Sequence, residues 1–191
     1  IEIDLDSRPE WVVPYTEAKP PRPPKSVAPG AADASTHFAK TLQVLITNEG
    51  PIHREVLIQR LKQTWGITRV TPDIQANIDK SLHKVRKYSD EDFFHALKED
   101  EIWPTRQHQS DNRRKIAHIH PREIADTAWQ IAQAAIEISY DDLIIQTARY
   151  LGFSRISPDV KDQIAESVEE LLDEGYLTGD RERLQWVEEP L

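Results

Sequence analysis

The stretch GITRVTPD at residues 66–73 returns as GFSRISPD at residues 152–159. Gly, Arg, Pro and Asp are identical, and the other four pairs are like-for-like swaps. Extending the 86-residue offset without gaps pairs Ile52 with Ile138, Leu57 with Leu143, Ile58 with Ile144, Ile78 with Ile164 and Ser81 with Ser167. Nine of 31 positions are identical between residues 52–82 and 138–168, and they fall at apolar and turn positions. Duplication of one supersecondary unit leaves this pattern.

Each copy reads as helix, turn, helix. Val56, Leu57, Leu61 and Trp65 recur at helical spacing. Gly66 then offers a stop, because a left-handed backbone costs glycine little. Thr71 and Ser157 are N-cap candidates, followed by Pro72 and Pro158 where a missing N–H costs nothing. Asp73 and Asp159 place a negative charge in the first turn, which the helix dipole favours. Ile74, Ile78, Leu82 and Val85 make one apolar stripe, and Val160, Ile164, Val168 and Leu171 make its counterpart.

A further helix is expected ahead of each pair, over residues 38–47 and 124–135. Apolar segments flanking a polar turn predict a hairpin behind each pair. In the second copy these are residues 174–177 and 184–187; in the first they are 93–97 and 102–103. Three helices and a hairpin are the plan of a winged helix. The expected fold class is therefore mainly α (α+β with small wings), as tandem winged-helix or helix-turn-helix repeats. A helical bundle without wings is the alternative. The boundaries read as a Pro-rich linker over 1–35, a first repeat over 36–105, a connector over 106–122 and a second repeat over 123–191.

Composition narrows the chemistry. With 191 residues the chain suits one or two domains. It has no Cys, so disulfides and thiolate metal sites are excluded and a cytoplasmic location is expected. No apolar run approaches the length of a membrane span. The chain opens on Ile and contains no Met, which predicts a piece excised from a longer protein. The net charge of −9 divides unevenly: −2 over residues 1–35, +4 over 36–122 and −11 over 123–191. Copies of opposite charge do not share one task.

Within the linker, IEIDLD at residues 1–6 alternates like an edge strand, and Trp11–Tyr15 is an apolar patch fit to dock on a neighbour. Residues 19–29 hold five of the 13 Pro and should be extended and semi-rigid. In the first repeat, Gln75, Asn77, Lys80, His83, Lys84 and Lys87 are expected on the exposed face of the second helix, where such side chains meet phosphates and base edges. Arg113, Arg114 and Lys115 in the connector are candidates to track phosphates. Arg69 and Arg155 precede helix N-termini, where Arg grips phosphate. Their presence in the acidic copy as well favours a structural task, such as pairing with Asp73 and Asp159.

The second repeat carries Asp159, Asp162, Glu166, Glu169, Glu170, Asp173 and Glu174 on the corresponding helix, a face that repels a duplex and suits a protein surface. His118 and His120 offer two imidazoles without a third ligand, so no metal is expected. No Gly-rich phosphate loop or supported nucleophile triad is present, and the carboxylates read as solvated helix faces rather than tuned acids. Neither catalysis nor a cofactor is expected of this chain.

The pattern EGPIH..VLIQRL...WGITR over residues 49–69, IHPREIADTAWQIAQ over 119–133, and DDLIIQTARYLGFSR with a closing EGYL resembles a known family. It is the C-terminal domain of unknown function of large bacterial superfamily 1 DNA helicases, often fused behind a Vsr-like endonuclease domain. The resemblance spans residues 36–177 and brings no catalytic residue with it. It implies a parent ATP-dependent helicase or helicase–nuclease in genome defence or repair, whose upstream domains would be partners. The combined expectation is a non-catalytic accessory module that holds DNA through its first repeat. The alternative is a protein-docking or dimerisation module, a possible homodimer, marked by exposed apolar surface at Trp11, Trp103 or Trp186.

Overall fold

The computed structural model describes residues 9–90, 92–98 and 100–188. In chain order the elements are β1 (Val12–Pro14), α1 (Ala34–Glu49), β2 (Ile52–His53), α2 (Arg54–Thr64), α3 (Pro72–Val85), β3 (Ser89–Asp90), β4 (Phe93–Phe94) and β5 (Thr105–Gln107). Then come α4 (Pro121–Ala135), α5 (Tyr140–Leu151), α6 (Pro158–Asp173), β6 (Leu177–Asp180) and β7 (Arg183–Trp186). The protein is mainly helical with small sheets. No helix among the described residues is long and apolar enough to cross a membrane.

Two units emerge. The first-repeat unit comprises the described residues between 17 and 98. Its core is built from Phe38, Leu42, Leu45 and Ile46 of α1, Leu57 and Leu61 of α2, and Ile78, Leu82 and Val85 of α3. Trp65 closes it, edge-on to Phe38 at 4.7 Å and donating its indole N–H to Thr41 Oγ1 at 3.1 Å. Thr71 caps α3 by accepting the Ile74 N–H at 3.4 Å, with Pro72 at the start of the helix. Gly66 takes φ 61, the left-handed conformation its position requires.

The hairpin of this unit differs from the sequence expectation. β3 pairs antiparallel with β4, and β4 also pairs with β2, giving the order β2-β4-β3. The turn therefore precedes Phe93 instead of following Leu97. Both Phe rings are buried, and so demand the central position of the sheet. The expected second strand at 102–103 belongs elsewhere. Trp103 is buried in the other unit, donating its backbone N–H to Asp126 Oδ2 at 2.7 Å, with its ring tilted against His120 at 4.6 Å.

The second-repeat unit comprises the described residues up to Thr16 together with those from 100 to 188. α4, α5 and α6 enclose Ile124, Ala128, Leu143, Ile144, Leu151, Ile164 and Val168. The β6–β7 hairpin follows, and Ile138 bridges Leu184 of β7. The lateral order Ile138, β7, β6 repeats the order β2, β4, β3 of the first unit. The 86-residue offset thus carries through helices, turn and strand order.

The duplication hides an addition. β1 pairs in parallel with β5, placing Val12 opposite Thr105 and Pro14 opposite Gln107. Trp11 packs against Tyr150, ring centroids 5.2 Å apart. The apolar patch in the expected linker is thus a structural strand of the second-repeat unit, and the connector is folded into the same unit. The IEIDLD stretch lies outside the described residues.

Just beyond β5, the His108 backbone N–H bonds Leu151 O at 3.1 Å and the imidazole lies edge-on to Phe153. The ring is buried, and its Nδ1 has no hydrogen-bond partner among the described residues. Burial, then the nearby Arg114 and Arg113 charges, lower its pKa to about 4, with Glu123 opposing. The unfolded chain therefore binds a proton that the folded state refuses as pH falls from about 6.5 toward about 4. Urea midpoints of this unit should decline through that window, and His108→Gln should flatten the decline. A pH-independent midpoint in the parent chain would contradict this placement of the imidazole.

Candidate nucleic-acid interface

On α3 and the turn that follows it, Lys80, His83, Lys84 and Lys87 are spaced i, i+3, i+4, i+7. They therefore share one stripe about 10 Å long. All four are exposed, as is Arg86 beside them. Lys84 Nζ leans on Thr36 Oγ1 at 2.9 Å, and Lys87 Nζ sits 4.8 Å from the Tyr88 ring centroid. Both ammonium groups remain at the surface. Exposed acids lie on the N-terminal side of the stripe, Asp73 in the first turn of α3 and Asp79 next to Lys80. The cationic surface therefore runs from Lys80 to Lys87.

The amide side chains expected beside these cations have other partners. Asn77 is only 4% exposed, correcting its expected place on the open face. Its Nδ2 donates to Pro29 O at 3.1 Å and Ala31 O at 2.9 Å, tying the Pro-rich segment to α3. Gln75 is exposed but donates to Asp79 Oδ1 at 3.0 Å.

The basic connector divides. Arg113 and Lys115 are exposed. Arg114 is 9% exposed and points inward, correcting its expected role at the surface. Its Nη1 and Nη2 donate to Glu123 at 3.1 and 2.9 Å, and Nη2 also reaches Arg106 O. Arg106 donates to the same carboxylate from its backbone N, Nε and Nη2 at 3.1, 3.3 and 2.6 Å. The Tyr15 ring covers both guanidinium groups, at 4.7 Å from Arg114 and 5.7 Å from Arg106. Glu123 is fully buried. Burial by itself would raise its pKa, but Arg114 and Arg106 outweigh it and hold the carboxyl at about 2. Here the expectation of uniformly solvated carboxylates fails. Nothing in the spacing of Arg106, Arg114 and Glu123 signals that they converge.

Arg69 and Arg155 are both exposed. Asp159 is held below the usual carboxylate range by the Ser157 hydroxyl, the partner found in place of the expected Arg155. The Trp residues do not form the expected apolar patch. Trp103 is buried, Trp11 packs on Tyr150, and Trp186 packs edge-on against Trp129 at 5.9 Å.

In α6, the positions equivalent to Lys80, His83, Lys84 and Lys87 hold Glu166, Glu169, Glu170 and Asp173. Each lysine and the histidine of the first stripe is thus replaced by an acid at the equivalent position of the second copy. The helix dipole favours cations in the last turn, and α3 has His83 and Lys84 there. α6 has no basic residue in its last turn. One acid is compensated: Glu169 accepts from Arg181 Nη2 at 3.1 Å, while burial and then its hydrogen bond push Tyr140 up to about 12. The acidic stripe runs against the local helix electrostatics, so the shared scaffold does not dictate its sign.

Among known proteins, no curated protein and no solved structure matches the chain. A family model described as "Protein of unknown function (DUF3320)" matches residues 37–76, from α1 to the first turn of α3, and over that stretch the chain is similar to that family.

Proposed function

We propose that the chain is a non-catalytic module that holds DNA, built as a tandem pair of winged-helix units. The observation that carries this reading is the exposed Lys80, His83, Lys84, Lys87 stripe, together with its replacement by acids at the equivalent positions of α6. A stripe of this kind meets phosphates as point charges. Asn77 and Gln75, the amides suited to pair with adenine, are engaged within the unit, so contact should be largely blind to sequence. The second copy would act as a spacer or protein-facing unit. The resemblance to helicase C-terminal domains supports a parent ATP-dependent helicase or helicase–nuclease that this module keeps on its DNA.

Fluorescence anisotropy of the chain with labelled single- and double-stranded DNA tests the proposal. Phosphate contacts by the three lysines of the stripe predict affinity for duplex DNA falling about 40-fold between roughly 50 and 200 mM salt. Lys80→Glu/Lys84→Glu should remove most binding and flatten the salt slope. Arg113→Glu/Lys115→Glu reports the connector without disturbing buried Arg114. Absence of binding at the lowest salt would sink the DNA reading. Protein docking would then be favoured, through the acidic stripe that the helix dipole does not explain.

A further inference from the structure

The Pro-rich segment is anchored to the first-repeat unit at both ends. At one end, Ala18 N–H donates to buried Glu49 Oε2 at 2.8 Å, and Arg60 Nη2 donates to Ala18 O at 2.6 Å. At the other, Asn77 holds the carbonyls of Pro29 and Ala31. Ala18 and Val27 also pack against the core. Between these anchors lies Lys19-Pro20-Pro21-Arg22-Pro23-Pro24-Lys25, with three cations and no acid in a chain of net charge −9.

From Pro20 to Pro24, as far as the turn in which the Val27 N–H donates to Pro24 O at 3.2 Å, burial follows a spacing of three residues. Pro20 and Pro23 are half-buried, whereas Pro21 and Pro24, and Arg22 and Lys25, are exposed. That is the period of a polyproline II helix with one edge seated and two edges free. Four of the six residues from 20 to 25 are Pro, with φ fixed near −65° and no N–H to donate. One free edge is apolar, Pro21 and Pro24. The other carries Arg22, and Lys25 follows in the turn that ends the extended run.

We infer that residues 20–24 are a docking ligand, presented in its bound conformation and followed by the Lys25 cation, for a partner protein domain with an aromatic-lined groove rimmed by carboxylates. Grooves of this kind take PxxP segments because the segment loses little entropy on binding. The anchors at Ala18 and Pro29 reduce that loss further. The paired Pro edge favours a protein over a nucleic acid, since Pro21 and Pro24 add nothing to phosphate contact. The site is separate from the α3 stripe and stands whether or not that stripe binds DNA.

The test is a calorimetric titration of the full chain with a panel of purified Src-homology 3 and WW domains that have acidic groove rims. At least one should bind saturably, and more tightly than it binds a free peptide of residues 18–31. Pro21→Ala/Pro24→Ala and Arg22→Glu/Lys25→Glu should each weaken binding about tenfold or more, a loss of about 1.4 kcal/mol. All four positions are exposed, so the fold should tolerate the changes. Binding by no domain of the panel would overturn the inference, as would binding indifferent to the Pro substitutions. It would also be overturned if an oligonucleotide were the only ligand sensitive to Arg22→Glu/Lys25→Glu.

Discussion

Glu123→Gln is expected to destabilise the second-repeat unit by about 3–5 kcal/mol, the scale of removing one partner from a buried ion cluster. The carboxylate accepts five hydrogen bonds from Arg106 and Arg114. The amide that replaces it cannot accept them all and carries no charge to offset the two buried guanidinium groups. Tyr15 lays its ring face over each. The loss should appear in urea unfolding followed through Trp103 and Trp129 fluorescence, and as loss of the β1–β5 pairing in amide exchange.

The same carboxyl sets an acid limb. Its folded pKa of about 2 lies below the ordinary 4.5, so its contribution is fully present above about pH 4.5 and is lost as pH falls through about 2. That contribution is on the order of 3 kcal/mol. Glu123→Gln should erase this limb and, by removing the carboxylate that raises the His108 pKa, extend the His108 window to lower pH. A variant as stable as the parent at neutral pH would mean that the cluster is solvated and that Arg114 is available at the surface.

Gly152→Ala should be the second large effect, at about 3 kcal/mol, against about 1 kcal/mol for Gly66→Ala. The two glycines are equivalent in the repeat and both have positive φ, 108 at Gly152 and 61 at Gly66. Their surroundings differ. A Cβ at Gly66 meets nothing within 4 Å, so alanine costs only the strained backbone. A Cβ at Gly152 would collide with His108 O and lie 2.9 Å from His108 N. These are backbone atoms held by the His108–Leu151 hydrogen bond, so they cannot swing aside. Comparing the urea midpoints of the two alanine variants tests the difference, and equal losses would show that β5 does not pack on this turn.

Much of each unit was legible in the sequence because it depends on neighbours a few residues apart. The apolar stripe Ile74, Ile78, Leu82, Val85 marks α3 through a 3.6-residue period, and Thr71-Pro72 marks its start through local hydrogen bonding. Gly66 and Gly152 mark the turns because few other residues adopt positive φ. The hairpin at 177–186 shows two apolar runs around a polar turn. The hairpin at 89–94 does not, since Ser89 and Asp90 have no apolar signature and their pairing follows from where Phe93 and Phe94 are buried.

The α3 stripe was legible for the same reason: side chains at i, i+3, i+4 and i+7 must share a face. Which of the polar residues beside it stay at the surface was not legible. Asn77 turns inward because the carbonyls of Pro29 and Ala31, 48 and 46 residues away, need a donor. Arg114 looks like its neighbours Arg113 and Lys115 until α4 brings Glu123 beneath it, and a buried carboxylate requires the nearest guanidinium groups. The parallel pairing of β1 with β5 likewise joins residues on opposite sides of an entire repeat. The sequence by itself determined the duplicated helices, the Thr71 cap, the glycine turns and the sign of charge on each stripe, whereas Ser157 starts α6 without a side-chain capping bond. Only the tertiary structure decided which charges are buried and which strands pair, because those outcomes depend on partners that no local period or spacing brings together.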